Sequence, residues 1–468
     1  MRPVNRLPPE ILSHIALYLI GSDEDDAISV VPLTHVCRYW RESIISTPEI
    51  WALVSGKNED MTTVCLGRAK ATPLKITLHM PLGSLFTDIF ASYLQNTRTL
   101  VVHSISTIEE FMSVFPDFPR SMPTLRSLEL AAIPPQDTWD PTIDPFEPFP
   151  PPLERLQLTG VPLYASLLKL GTLTEFTFSD REFPGLDTLL DFLEGNCSLE
   201  RVTLDSYSAS LLGWERKIAM KQLRYLSINC SDEEDAQALI SSIPLQRGAS
   251  LRIHLRGWHR TLIDFLPDVS ATHLSNPPSP TFFQLGHGPL TKHITLDGPS
   301  GKLSFYGISL LEASFADLAV LPLSNVREVR LHYRKETTTT SLEPPVFYPS
   351  YFPALETLTV DCNVDVLGAL SVLLSNSPPS PSLKTLGFLN CNISEDFMEG
   401  LTRFASGRRN IPTSTWLHRV QFAHGDGAFP SAASIRRLRK YVQVVEVRME
   451  DDFSMDLTSM TLTPSPYY

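Results

Sequence analysis

Apolar residues recur along this chain in two rhythms. Near the amino terminus Ile11, Leu12, Ile15, Tyr18 and Leu19 follow helical spacing and define one apolar stripe. Pro8 and Pro9 suit the first turn of that helix, where a missing N–H costs nothing, and Glu10 complements the positive helix start. Gly21 ends it, and the acidic run Asp23-Glu24-Asp25-Asp26 reads as a solvated turn into a second helix. Val36, Cys37, Trp40, Ile44 and Ile45 predict a third. Three helices in about fifty residues bury little surface, so such a piece needs a partner or the rest of the chain to pack on.

From residue 125 onward the rhythm becomes that of short strands. A core of type L-x-x-L-x-L, with other apolar residues allowed, starts at Leu125, Leu153, Leu173, Leu199 and Leu223, and again at Val326, Leu355, Leu383 and Leu417. Within each block the starts lie 20 to 34 residues apart, the length of a strand plus a return helix or turn. The residue between the last two apolar positions should point out of a pleat. Those residues are Glu129, Gln157, Thr177, Thr203, Ser227, Arg330, Thr359, Gly387 and Gln421, none of them large and apolar. A further strand is expected at Pro73–Leu78, then a helix around Ile89–Leu94, a strand near Leu100–Val102, and strand candidates at Leu251/Ile253/Leu255 and Ile294/Leu296. Towards the end, Ile435-Arg436-Arg437-Leu438-Arg439-Lys440 reads as a basic helix leading into a strand at Val442–Val447.

The blocks Leu7-Pro8-Pro9-Glu10-Ile11-Leu12, Val36-Cys37-Arg38-Tyr39-Trp40 and Pro48-Glu49-Ile50-Trp51 stand in the order and spacing of an F-box, which residues 4 to 52 resemble. The resemblance implies a helical module that docks on a Skp-type adaptor of cullin-based ubiquitin ligases. Matched residue by residue, it makes Leu7, Pro8, Glu10, Ile11, Leu12, Val36, Cys37 and Trp40 the adaptor-binding positions. The strand segments resemble degenerate leucine-rich repeats, with Asn363 and Cys391 at the Asn/Cys position of that consensus. The whole resembles fungal F-box proteins in which such an array follows the module at once. The expected fold class is therefore α/β: a three-helix module at 1–52, an irregular leucine-rich-repeat-like solenoid with one curved parallel sheet at 60–450, and a disordered tail at 451–468. A packed joint, not a flexible linker, is expected between module and array.

Composition narrows the function classes. The 468 residues carry 39 Lys plus Arg against 52 Asp plus Glu, a net charge of −13, which argues against general affinity for nucleic acid or acidic membranes. The polar opening Met1–Asn5 is unlike a signal peptide, and the apolar run Ala316–Leu323 is far short of the ~20 residues of a membrane helix. Six scattered cysteines without a C-x-x-C pair suit free thiols in a reducing compartment, so a cytoplasmic or nuclear protein is expected. No P-loop, dinucleotide fingerprint, H-E-x-x-H or G-x-S-x-G occurs, and the histidines His254, His259, His273, His287 and His293 lack ligand spacing. The expectation is no enzyme, no cofactor and no metal.

Three Pro-rich or Gly-rich insertions, near 133–152, 270–303 and 335–350, interrupt the array and read as loops. The reading that emerges is a substrate-recognition subunit of an SCF-type ubiquitin ligase. Its alternative is an interaction protein with no ubiquitination target. For target binding, two sites remain open: the outward strand positions, with Arg155, Arg201, Tyr225 and Arg330 foremost, and the loop from 335 to 350 with Tyr348 and the adjoining Tyr351, whose aromatics either anchor a partner or pack back on the array.

Overall fold

A proline pair opens the first helix. The Pro8 carbonyl accepts from the Ile11 and Leu12 N–H groups at 3.1 and 3.2 Å, so the residue that cannot donate still starts the ladder of α1, Pro9–Ile20. After a 3-10 turn at Ala27–Val30 come α2 (Val31–Thr34), α3 (Arg38–Ile45) and α4 (Pro48–Trp51). The third helix thus begins later than its apolar pattern suggests. Cys37 is its extended N-cap residue and Val36 stays in the preceding turn.

The structure is a computed structural model and describes residues 7–20, 27–81, 89–90, 92–115, 117–133, 143–147, 150–179, 185–207, 216–230, 233–243, 249–255, 282–287, 292–298, 301–306, 323–333, 347, 349–362, 370–374, 382–409, 416–424 and 430–449. The chain divides into two units, Met1–Gln246 and Arg247–Tyr468. The helix expected around Ile89–Leu94 lies partly outside the described residues, and Asn363, Tyr348 and the tail at 451–468 lie wholly outside them.

In the first unit, eight strands pair in parallel, each with the next: β1 (Leu53–Ser55), β2 (Leu74–His79), β3 (Thr97–Ile105), β4 (Ser127–Ala132), β5 (Arg155–Thr159), β6 (Glu175–Ser179), β7 (Arg201–Tyr207) and β8 (Tyr225–Cys230). Their apolar positions fall in register. Leu128, Leu156, Phe176, Val202 and Leu226 form one buried row, and Leu130, Leu158, Phe178, Leu204 and Ile228 the next. Helices α5 (Glu59–Ala69), α6 (Ile108–Val114), α7 (Leu186–Gly195) and α8 (Glu233–Ser242) interleave with the strands.

The register has a backbone cause. In seven of the nine repeats the carbonyl just after the first apolar residue accepts two successive N–H groups of the following repeat. Arg126 O takes Glu154 and Arg155, Glu154 O takes Thr174 and Glu175, Thr174 O takes Glu200 and Arg201, and Glu200 O takes Arg224 and Tyr225, all at 2.7–3.0 Å. The same hook recurs in the second unit, from Arg327 O to Glu356 and Thr357, from Glu356 O to Lys384 and Thr385, and from Lys384 O to His418 and Arg419.

The second unit contains β9 (Ser250–Leu255), β10 (Phe282–His287), β11 (Lys292–Gly298), β12 (Gly301–Tyr306), β13 (Glu328–Tyr333), β14 (Thr357–Cys362), β15 (Thr385–Leu389), β16 (Arg419–His424) and β17 (Val444–Met449), with helices α9 (Ser371–Leu374), α10 (Glu395–Arg409) and α11 (Ala432–Leu438). Strands β13 to β17 pair in parallel, and Val329, Leu358, Leu386, Val420 and Val445 share a buried row. Two expectations are corrected here. The stretch 270–303 is not simply a loop, because it supplies β10, β11 and the start of β12. Nor is the pairing parallel throughout, since β11 runs antiparallel to both its neighbours while β10 joins β13 and β12 joins β9 in parallel. Connections of four and two residues are too short for the crossover that parallel pairing needs, so these neighbours pair antiparallel.

Described parts of the other insertions are anchored. Phe146 is fully buried and meets Phe118 edge-on at 5.5 Å, while Asp144 Oδ1 accepts from Phe146 N and Ser166 Oγ at 2.9 and 2.8 Å. Phe347 is buried and stacks on Phe352 at 5.5 Å, so this aromatic packs back into the fold. Asn196 pins the repeat before it: its side-chain amide donates to the Leu167, Leu168 and Phe192 carbonyls and its oxygen accepts from Leu170 N–H at 2.9 Å. Gly195 runs so close that a Cβ there would lie 1.9 Å from Leu168 O.

Leu358→Asp should cost several kcal/mol through a buried unpaired charge, whereas Thr359→Asp, on the outer side of the same strand, should stay within about 0.5 kcal/mol of the parent. Chemical denaturation midpoints measure both, and equal losses would show that the strand register is wrong. Asn196→Ala should cost about 3 kcal/mol, since it strands several buried backbone groups at once.

Candidate functional site

Helix α1 is apolar on two sides. Leu12, Ala16 and Ile20 face inward and are buried, Leu12 to 1% exposure. Ile11, Ile15, Tyr18 and Leu19 project outward instead, with Tyr18 84% exposed. The stripe read from the sequence merges these two sets, because residues three and four apart on a helix fit both sides of so apolar a segment. Val36, 53% exposed, and Ile45 add to the apolar surface of the module.

Hydrogen bonds fix how the segments meet. Tyr39 Oη donates to Leu7 O at 2.8 Å, which sets the start of α3 beside the start of α1. Ser13 Oγ and Thr47 Oγ1 lie 2.8 Å apart, tying α1 to the turn after α3, and Thr47 Oγ1 also bonds Ser43 O at 2.8 Å. Arg41 Nε reaches back to Thr34 O at 2.9 Å. Of the sequence-predicted adaptor positions, Pro8, Glu10, Ile11 and Val36 are exposed and Leu7, Cys37 and Trp40 half-buried. Leu12 lies inside, where it sets the position of α1 rather than offering surface. Ile15, Tyr18, Leu19 and Ile45 extend the exposed apolar set beyond the motif residues. Their signal in the sequence is that α1 has more apolar positions than one buried face can use.

The module does not stand apart from the first strands. Trp51, 1% exposed, donates from Nε1 to Ile44 O at 3.0 Å, and the Arg68 guanidinium of α5 lies 4.3 Å from its ring centre. Two residues later β1 pairs with β2, so strand pairing begins directly after residue 52.

Among the candidate target-binding residues, Arg155, Arg201 and Tyr225 share one row of the first unit, with Glu175 between the two arginines. Arg155 Nε donates to Glu175 Oε2 at 2.6 Å, and Arg201 lies over the Tyr225 ring at 4.9 Å. Two positions on, Gln157 Nε2 donates to Glu129 Oε1 at 3.1 Å. Burial lifts the Glu129 carboxyl above its ordinary range, and Lys75 offsets part of that rise. The fourth candidate, Arg330, belongs to the second unit, where it pairs with Glu328 at 2.9 Å. Neighbouring it, His332 Nδ1 and Asp361 Oδ2 lie 2.8 Å apart and Asn390 Nδ2 donates to Asp361 Oδ1 at 3.1 Å, a cluster that no motif announces. Among the described residues no group of three or more His, Cys, Asp or Glu side chains could hold a metal ion, and no helix is long and apolar enough to cross a membrane.

Residues 4–55 match the family model described as F-box-like, so the chain carries an F-box-like domain that takes in helices α1 to α4 and strand β1. Domains of that family generally bind Skp-type adaptors. A search of curated proteins finds no match to the chain.

Leu12→Ala should destabilise the module by about 2–5 kcal/mol through a core cavity. Ile11→Ala and Tyr18→Ala should leave thermal stability within about 0.5 kcal/mol of the parent, because both side chains already face water. Calorimetry of the three variants checks the assignment of inner and outer sides.

Proposed function

We propose that this chain is the substrate-recognition subunit of an SCF-type cullin ubiquitin ligase. The observation that carries the reading is the outward apolar band of Ile11, Ile15, Tyr18 and Leu19 on a domain of the F-box-like family. Fully burying one large apolar side chain is worth about 1.5–3 kcal/mol, and four side chains left partly or wholly in water on one short helix give a partner a strong reason to cover them. The Skp-type adaptor takes that place and links the chain to the cullin.

On this reading the strand array of each unit is leucine-rich-repeat-like, and these arrays hold a target protein. Arg155, Arg201 and Tyr225 offer an aromatic and two guanidinium groups in one row, the residue types that dominate protein interfaces, with Arg330 a further contact in the second unit. The chain itself performs no bond chemistry and needs no cofactor. It raises the effective concentration of target lysines at a conjugating enzyme held by other subunits, in the cytoplasm or the nucleus.

The test is adaptor capture by Leu7→Ala/Pro8→Ala/Ile11→Asp. These residues lie at or near the surface, so the variant should remain folded by circular dichroism yet lose the adaptor. Undiminished capture would refute the adaptor role. For the target, a Tyr225→Ala/Arg330→Ala variant should lose capture that a deletion of residues 335 to 346 retains.

A further inference from the structure

In the second unit a basic rim forms where α10 and α11 end. The helices lie side by side, since Ser434 Oγ donates to Glu395 Oε2 at 2.5 Å and Arg409 Nη1 donates to Lys440 O at 3.0 Å. Several cations in this region have internal duties. Arg408 is buried and donates to Leu383 O at 2.9 Å, and Arg437 turns to Glu395 at 3.4 Å. Arg409, Arg436, Arg439 and Lys440 are exposed, and among the described residues none of the four has a carboxylate partner. Arg439 keeps helical dihedrals and Lys440 N–H bonds Arg437 O, so Arg436, Arg439 and Lys440 stand at i, i+3 and i+4 on one side of the turn. Beside them Trp416 is 59% exposed, with the Arg409 guanidinium 4.9 Å from its ring centre.

Cations at helix ends offset the macrodipole, which accounts for the arginines in the last turns of α10 and α11. It does not account for Arg439 and Lys440 beyond α11, nor for an indole held in water by a stacked guanidinium. On a chain of net charge −13, a local surplus of cations beside an ordered Trp selects an anionic partner with apolar side chains of its own. We infer that this rim docks a short acidic peptide segment of the target protein, with its carboxylates on Arg436, Arg439 and Lys440 and an apolar residue on the Trp416–Arg409 stack. The partner's identity as a ubiquitination target rests on the function proposed above; the docking itself does not.

The test uses the full-length chain co-expressed with its Skp-type adaptor and a fluorescein-labelled peptide rich in Glu and Asp that carries two leucines, read by fluorescence anisotropy. Binding should weaken as salt is added and become about tenfold weaker in both Arg439→Glu/Lys440→Glu and Trp416→Ala. Equal binding by wild type and both variants, or equal binding of a peptide with Lys in place of the acidic residues, would overturn the inference. So would single-stranded oligothymidylate displacing the peptide and binding independently of Trp416, which would make the rim a nucleic-acid contact. Adaptor retention in the same preparations reads the F-box role separately, so either idea can fail without the other.

Discussion

The carbonyl that follows the first apolar residue in seven of the nine repeats, accepting two N–H groups from the next, is the constraint on which the strand arrays depend. It sets where each strand begins relative to the last, and a slip of one residue would turn every buried side chain towards water. Because only backbone atoms take part, the hook survives large differences in the residue that supplies it: Arg126, Glu154, Thr174 and Glu200 all serve in the first unit. The apolar triads then follow as packing on a frame already fixed. Irregular repeat lengths are tolerated for the same reason, since intervening residues change only the path of return.

Much of this frame was legible because a strand with one buried face writes a period of two into the sequence. All nine apolar triads lie on or at the start of strands, and eight of the nine residues between them keep partial exposure. The exception, Gly387, is buried because Thr359 of the neighbouring strand covers it, with its Oγ1 3.3 Å from where a Cβ would stand. Strand β11 was legible at Ile294 and Leu296, whereas β10 and β12 escaped notice because Pro and Gly around them mimic a loop, and antiparallel pairing through short connections needs no helical signal. The inner and outer sides of α1 were also indistinct. Periodicity counts apolar residues but cannot tell a side that meets the protein's own core from one that meets water.

The candidate surfaces differ in how chemistry announces itself. Exposed apolar residues on α1 violate the expected burial of their side chains, and the motif around them points to the kind of partner proposed to cover them. Along the outer strand row, Arg155 answers Glu175 and Arg201 rests on Tyr225, so much of that row's charge is internally matched. At the ends of α10 and α11 the balance is not matched among the described residues. That imbalance lay hidden in the sequence, because Arg409 and Lys440 stand far apart along the chain and only folding brings them together.

Trp51 carries a consequence of its own. Its indole ties α4 to α3 through Ile44 O and meets Arg68 of α5, so the small domain shares part of its packing with the first elements of the array. Damage to that part of the array would therefore loosen the proposed adaptor-binding surface as well. On the proposed reading, a defective receptor would release its place on the ligase to an intact one, a form of quality control that needs no dedicated sensor.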